Sequence, residues 1–252
     1  HGTLTCSFLS DFSLLDGIGK EDERAERAAE LGQSALALTD HGSLAGVLYH
    51  AEAGHKVGIK PICGIEAYFR EDIQADREAK NQYGYNHLVL LAKNMIGFKN
   101  LMRLSSLSYT EKYMYQKPCI DWDTLYDHRE GLIASSSCLS GLIPKKLLQG
   151  DIEGAEWAMM KFQSIFGDDF YLETQPHAIP EQQLINIEIY NMAQNWGIPV
   201  VVTADAHYPY KGWHETQLVS IKMRAKDWEY GVTETAWLMS EDEIAKTFEA
   251  NN

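Results

Sequence analysis

Asp205 and His207 stand two residues apart, directly after Gly197-Ile198-Pro199-Val200-Val201-Val202. That apolar run, rich in β-branched residues, reads as a buried strand. Residues two apart on an extended chain project to one side, and α/β folds place their chemistry where parallel strands end. Other strand-like runs carry similar residues. Residues 34–39 close on Asp40-His41-Gly42, Lys60–Phe69 carries Glu66, Asn86–Ala92 has His87 near its start, and residues 131–137 end at Cys138. A loop after the first strand carries Asp11 and Asp16. Asp16, His41, Glu66, His87, Cys138, Asp205 and His207 are therefore expected on one rim. Carboxylates, imidazoles and a thiol are the ligand types of borderline divalent metals, zinc first, with manganese or iron as options.

Each residue alone has a plainer explanation. A single histidine near a strand end is usually a hydrogen-bonded structural one, Asp40-His41-Gly42 has turn chemistry, and Cys138 can be a small buried apolar group. Glu66 is harder to dismiss, because a carboxylate flanked by Ile62, Ile65 and Ala67 needs a charged partner if buried. Recurrence at successive strand ends favours the functional reading. Ser135-Ser136-Ser137-Cys138 is no nucleophile elbow, since no Gly-x-Ser-x-Gly occurs.

The elements that must position these residues follow from periodicity. Strands are expected over 3–10, 34–39, Lys60–Phe69, Asn86–Ala92, 131–137, 169–174 and the run before Thr203. Helices are expected over 21–31, 45–57, 95–114, 121–127, 140–148, Ile152–Phe166, Pro180–Trp196, 211–226 and 240–250. Asp151 reads as an N-cap and Pro180 as a first-turn proline. Ser240-Glu241-Asp242-Glu243 has the capping-box pattern. Residues 71–85 are polar and read as an exposed excursion. Alternation of strand and helix roughly seven times argues a parallel sheet with crossover helices, closed or nearly closed into a β/α barrel. A doubly wound open sheet is the alternative, weakened by the lack of any Gly-x-Gly-x-x-Gly or Walker sequence after a strand.

The 252 residues suffice for a substantial core. Cys6, Cys63, Cys119 and Cys138 form no Cys-x-x-Cys pair, so neither a zinc ribbon nor a disulfide framework is indicated, and a reducing cytoplasm is the natural setting. No apolar run approaches the roughly 20 residues needed to span a bilayer. The formal net charge of −14 makes a poor free-standing nucleic-acid binder. Any grip on DNA would have to come from basic partners or a basic neighbouring domain.

Several segments together resemble a known family. These are 10–17 (SDFSLLDG), 35–42 (ALALTDHG), 58–66 (GIKPICGIE), 86–92 (NHLVLLA), 137–141 (SCLSG) and 203–208 (TADAHY). In this order they resemble the PHP (polymerase and histidinol phosphatase) domain at the N-terminus of bacterial DNA polymerase III alpha subunits. The resemblance implies an α/β fold, a distorted seven-stranded (β/α)7 TIM-like barrel, with 1–252 as one PHP domain. Residues 211–252 would be a helical extension leading to the polymerase. Its rim can bind up to three metals, usually zinc or manganese. In some members they run a 3′-5′ proofreading exonuclease, and related free-standing proteins hydrolyse phosphate monoesters. Asp16, His41 and His207 match one metal's ligands, Glu66, His87 and Cys138 a second, and Glu66 and Asp205 part of the third.

The family's first motif, His-x-His, falls on Ser7 and Leu9. Leucine cannot ligate a metal and a serine hydroxyl is a weak ligand, so one or two ions are expected rather than three; alternatively, Asp11 or His1 fills the gap. The resemblance thus implies a metal-binding barrel in a replicative polymerase, structural or partner-docking, with weak or no exonuclease activity. Its partners would be DNA through the parent polymerase, the palm and thumb domains and a proofreading exonuclease subunit, with no membrane. The chain lacks the palm carboxylates and by itself would not synthesise DNA. The alternative is an active metal-dependent 3′-5′ exonuclease or phosphomonoesterase. Asp205 and His177 are the catalytic candidates there, and Lys20 or Arg70 could contact substrate.

Overall fold

In a computed structural model the described residues are 7–14, 16–224 and 234–251. The chain opens with β1 (Ser7–Phe8), α1 (Glu21–Glu30), β2 (Ala35–Leu38), α2 (Val47–Val57), β3 (Lys60–Phe69), α3 (Ile73–Glu78), β4 (Asn86–Ala92) and α4 (Met95–Ser108). It continues through β5 (Met114–Tyr115), β6 (Lys117–Ile120), α5 (Trp122–Asp127), β7 (Leu132–Ser135), α6 (Leu142–Leu148) and α7 (Ile152–Phe166). Last come β8 (Phe170–Thr174), α8 (Pro180–Trp196), β9 (Val200–Val202), α9 (His214–Arg224) and α10 (Glu241–Asn251). The main sheet runs β1-β2-β3-β4-β7-β8-β9. Its edges meet where Phe8 bridges Ala206, so the seven strands curl into a distorted barrel.

The expected all-parallel sheet needs correcting at one strand. β4 runs antiparallel to both β3 and β7, while the other neighbours on the path are parallel. The cause lies in residues 70–85. The buried Arg70 guanidinium binds Asp76 and the carbonyls of Asn81 and Gln82, folding this excursion back to the end of β3 it left. Tyr68 then pairs with His87 and Phe69 with Asn86, as in a wide hairpin. In an all-parallel barrel a residue at the start of β4 would lie on the far rim. Reversal brings His87 to the rim where β3 ends.

The long helix expected over 95–114 also stops early, at Ser108. Residues 114–120 form a hairpin whose β6 pairs with the end of β3. Tyr115 and Lys117 alternate with Pro118 and Cys119 too briefly to reveal a strand by period. Helix ends follow local chemistry. Gly58 and Gly197 close α2 and α8 at positive φ of 79° and 67°, Asp151 caps α7, and Ser240 with Glu243 forms the expected capping box of α10.

Alternation along the strands separates two faces. Ile65, Ala67 and Phe69 of β3, Leu88 and Leu90 of β4, Leu132 and Ala134 of β7, and Phe170 and Leu172 of β8 face outward. They pack against Leu101 and Leu104 of α4, Ile143 of α6, Phe162 of α7 and Ile185 and Ile189 of α8. Residues one step out of phase, Glu66, His87, Ser135 and Glu173, are left to the inner face, because the side-chain period of a strand is two. A second core joins Phe8, Leu36, Leu38 and Tyr208 to Trp237, Leu238, Met239 and Ile244, so part of the C-terminal segment packs on β1 and β2.

Candidate metal centre

Thr39, Asp40 and His41 follow β2, with Asp40 completely buried. Its carboxylate accepts hydrogen bonds from Ser10 N and Ser10 Oγ, both at 2.6 Å, and from Ser13 Oγ at 2.8 Å. Burial raises the Asp40 pKa, and the serine hydrogen bonds oppose that. Ser13 Oγ also accepts from His41 N at 3.1 Å, and Ser13 O accepts from Asp16 N at 3.0 Å. The sequence 10–17 is thereby clamped to the end of β2, and Asp16 is carried to His41, Oδ2 to Nε2 3.0 Å.

Glu66 lies at the heart of the inner face, 4% exposed. One oxygen, Oε2, is 2.9 Å from His41 Nδ1. The other, Oε1, is 3.2 Å from His87 Nδ1, 3.7 Å from Cys138 Sγ, and accepts from Ser137 Oγ at 2.7 Å. Cys138 Sγ and His87 Nδ1 are 3.5 Å apart. Backbone pairing sets this up: His41 bridges Glu66, and His87 bridges Gly141 just past Cys138.

On the other side His207 Nε2 lies 3.9 Å from Asp16 Oδ1, with its Nδ1 held by Asp205 O at 2.7 Å. Asp205 sits at φ 42°. Burial raises its pKa, His207 opposes that, and the charge of Glu66 adds to it, which places Asp205 within electrostatic reach of both. His177 is buried and hydrogen-bonds Thr235 Oγ1 through Nδ1 at 2.9 Å. Burial and then the nearby His207 lower its pKa to about 3.

Burial alone would lower the His41 pKa, but Glu66 and Asp16 outweigh it and raise the pKa to about 10. Burial would likewise raise Glu66, yet His87 and His41 hold it well below the usual carboxylate range. The Cys138 thiol is pushed well above its ordinary value by burial and by the charges of Glu66 and Asp205. In the bare protein His41 thus carries a proton against Glu66, and Cys138 stays a thiol.

Asp16, His41, Glu66, His87, Cys138 and His207 each lie within 3.9 Å of another of the set, and Asp205 is within electrostatic reach of them. The remaining candidates, His177 beside His207 apart, lie elsewhere. Arg70 is fully buried and braces the 70–85 excursion. Lys20 is exposed at the start of α1, and exposed Asp11 lines a separate pocket with Phe12, Lys20 and Tyr49. His1 lies outside the described residues. Leu9, in the first motif, is 1% exposed. Sequence reasoning missed Ser13, Ser137 and above all Glu173. Glu173 is buried and accepts from Ser135 Oγ, Thr203 Oγ1 at 2.5 Å and Gln175 Nε2 at 2.9 Å. Its position in Phe170-Tyr171-Leu172-Glu173-Thr174, out of phase with Phe170 and Leu172, was the available signal.

The donor set fits a divalent cation. His41, Glu66 and His87 offer one ligand atom each, all within 4.8 Å of one another. His41 Nδ1 is buried and lies 2.9 Å from Glu66 Oε2. A ring nitrogen facing a carboxylate suits coordination, with its other nitrogen steadied by Asp16 in the manner of a histidine ligand's outer carboxylate.

The fold and bowl define a barrel-type domain, and comparison shows which. Residues 8–177 match the PHP domain family. The DNA polymerase III subunit alpha of Borreliella burgdorferi is 42% identical over 203 residues, 79% of this chain and 17% of that protein. The Aquifex aeolicus DNA polymerase III subunit alpha is 41% identical over 223 residues, 85% of this chain and 19% of that protein. An amidohydrolase structure from Chromobacterium violaceum, with bound sulfate and no metal, aligns over 82% of this chain and 88% of its own. Its TM-score is 0.49 at 15% identity. The chain belongs to the PHP domain family. It spans less than a fifth of the polymerase subunits it matches.

Proposed function

We propose that residues 1–252 act as one PHP domain of a DNA polymerase III alpha-type replicative polymerase, in the cytoplasm. The bowl binds one or two divalent ions, zinc or manganese, and the domain serves as a scaffold and partner-docking unit with weak or no 3′-5′ exonuclease activity. Its partners would be DNA through the parent polymerase, the palm and thumb domains, and a proofreading exonuclease subunit. The observation that carries the scaffold reading is Leu9, an apolar, buried side chain where the family's first motif supplies an imidazole. Among the described residues no helix is long and apolar enough to cross a membrane.

His41, Glu66, His87 and Cys138 would hold one ion, with Asp16, His207 and Asp205 on the opposite wall. The chemistry such an ion supplies is Lewis-acid polarisation of a phosphoryl oxygen and acidification of water. His177, neutral at physiological pH, is poorly matched to general-base work, which favours a pKa near the working pH.

The second reading, an active exonuclease or phosphomonoesterase, is favoured by retention of Asp16, Asp205 and His207 beside the His41, Glu66 and His87 cluster. The purified chain should carry metal by elemental analysis and release no nucleotide from a labelled 3′ end. Release abolished by Asp205→Asn would establish the second reading instead.

A further inference from the structure

Two lysines flank the bowl on its β3–β4 side. Lys145, in the last turn of α6, is half-buried and donates to Tyr85 O at 2.6 Å, with Nζ 5.7 Å from the Tyr85 ring centre. Lys117 of β6 places Nζ 5.0 Å from the centre of the Tyr68 ring. The two rings meet edge to face at 5.3 Å. Each ring also reaches the candidate metal centre: Tyr68 stacks on His41 at 5.7 Å, and Tyr85 lies nearly parallel to His87 at 6.4 Å. Lysine, tyrosine and imidazole are thus layered twice, side by side.

Among the described residues no carboxylate lies within 4.0 Å of either ammonium. Both ammonium groups lie over tyrosine rings instead. Lys145 also loses hydration there: burial lowers its pKa, and the neighbouring Cys138 only partly opposes this. A half-buried ammonium with one acceptor has protons left for another. The chain's net charge of −14 makes the flank a local exception.

We infer that Lys117 and Lys145 form a phosphate subsite beside the His41, Glu66 and His87 cluster. It takes a phosphate ester by charge and does not read a nucleobase. This rests on the second reading above, in which the bowl handles phosphate esters. Recognition by stacking would need an open ring face. Tyr68 is only 6% exposed and is engaged by His41, His87, Tyr85 and Lys117. Tyr68 therefore holds its cation and offers no open face to a base.

Calorimetric titration of the purified chain with inorganic phosphate, and with each of the four deoxynucleoside 5′-monophosphates, tests this with and without manganese. Equal affinity for all four nucleotides is expected. Lys117→Met and Lys145→Met keep the aliphatic stems and should each weaken phosphate binding roughly tenfold, the scale of a charge-assisted hydrogen bond. Elemental analysis should find their metal content unchanged. In the unaltered chain, phosphate should slow reductive methylation of Lys117 and Lys145, a readout independent of how the variants fold. Undiminished phosphate binding in the double variant, no protection of either lysine, or discrimination among bases would overturn the subsite. Phosphate binding by a chain that takes up no metal would uphold the subsite and sink the metal-centre reading.

Discussion

Glu66 Oε2 stands 2.9 Å from His41 Nδ1, an ion pair on the inner face of the sheet. Without a cation, the buried carboxylate is balanced by keeping His41 protonated, with a pKa raised to about 10 despite burial. The folded pKa lies above the unfolded one. The stabilisation is therefore complete below about 6.5 and lost as pH rises through about 10. Metal-free protein should lose thermal stability across that interval. Metal uptake must expel the proton, so affinity should rise with pH and binding should release protons. Titrations in buffers of different ionisation enthalpy read this directly, and proton-free binding would contradict it.

Glu66 touches His41, His87, Ser137 and Cys138 at once. Glu66→Gln should therefore reduce metal affinity by more than the 10- to 100-fold typical of losing an outer partner. Zinc and manganese titrations check it. Unchanged uptake would place the ion elsewhere.

Asp40 accepts three hydrogen bonds from Ser10 and Ser13 without solvent contact. Asp40→Asn turns an acceptor into a donor facing donors and should cost about 2–3 kcal/mol. At this chain length that lowers the melting temperature by roughly 5–10 °C. Loosening residues 10–17 should also free Asp16 from His41, visible as a lower His41 pKa by NMR.

Burial raises the Glu173 pKa to about 7, against hydrogen bonds from Ser135, Thr203 and Gln175. Between about 4.5 and 7 the folded state keeps a proton the unfolded state has lost, so this group makes stability fall as pH rises through that interval. Glu173→Gln should flatten the slope there. Denaturation midpoints measured across the interval decide it.

Phe162 of α7 packs against Phe69, Trp122 and Phe170, with ring centres 5.6, 4.7 and 5.5 Å away. Phe162→Ala should cost about 3–5 kcal/mol. Metal content should persist in whatever fraction remains folded, because this core lies on the outer face of the sheet.

The sequence alone determined the elements with strong local signals. Lys60–Phe69, Asn86–Ala92, Ile152–Phe166 and Pro180–Trp196 have the bounds their periodicity and caps dictate. It also marked the polar residues at strand ends, since ligand-type side chains beside apolar runs stand out by type. Only the tertiary structure decided that β4 runs backward, because strand direction depends on where Arg70 returns the chain, a contact that periodicity does not encode. The same holds for Asp40 and Glu173. Their types were visible, but whether a carboxylate is solvated or buried among hydroxyl donors is settled by residues dozens of positions away.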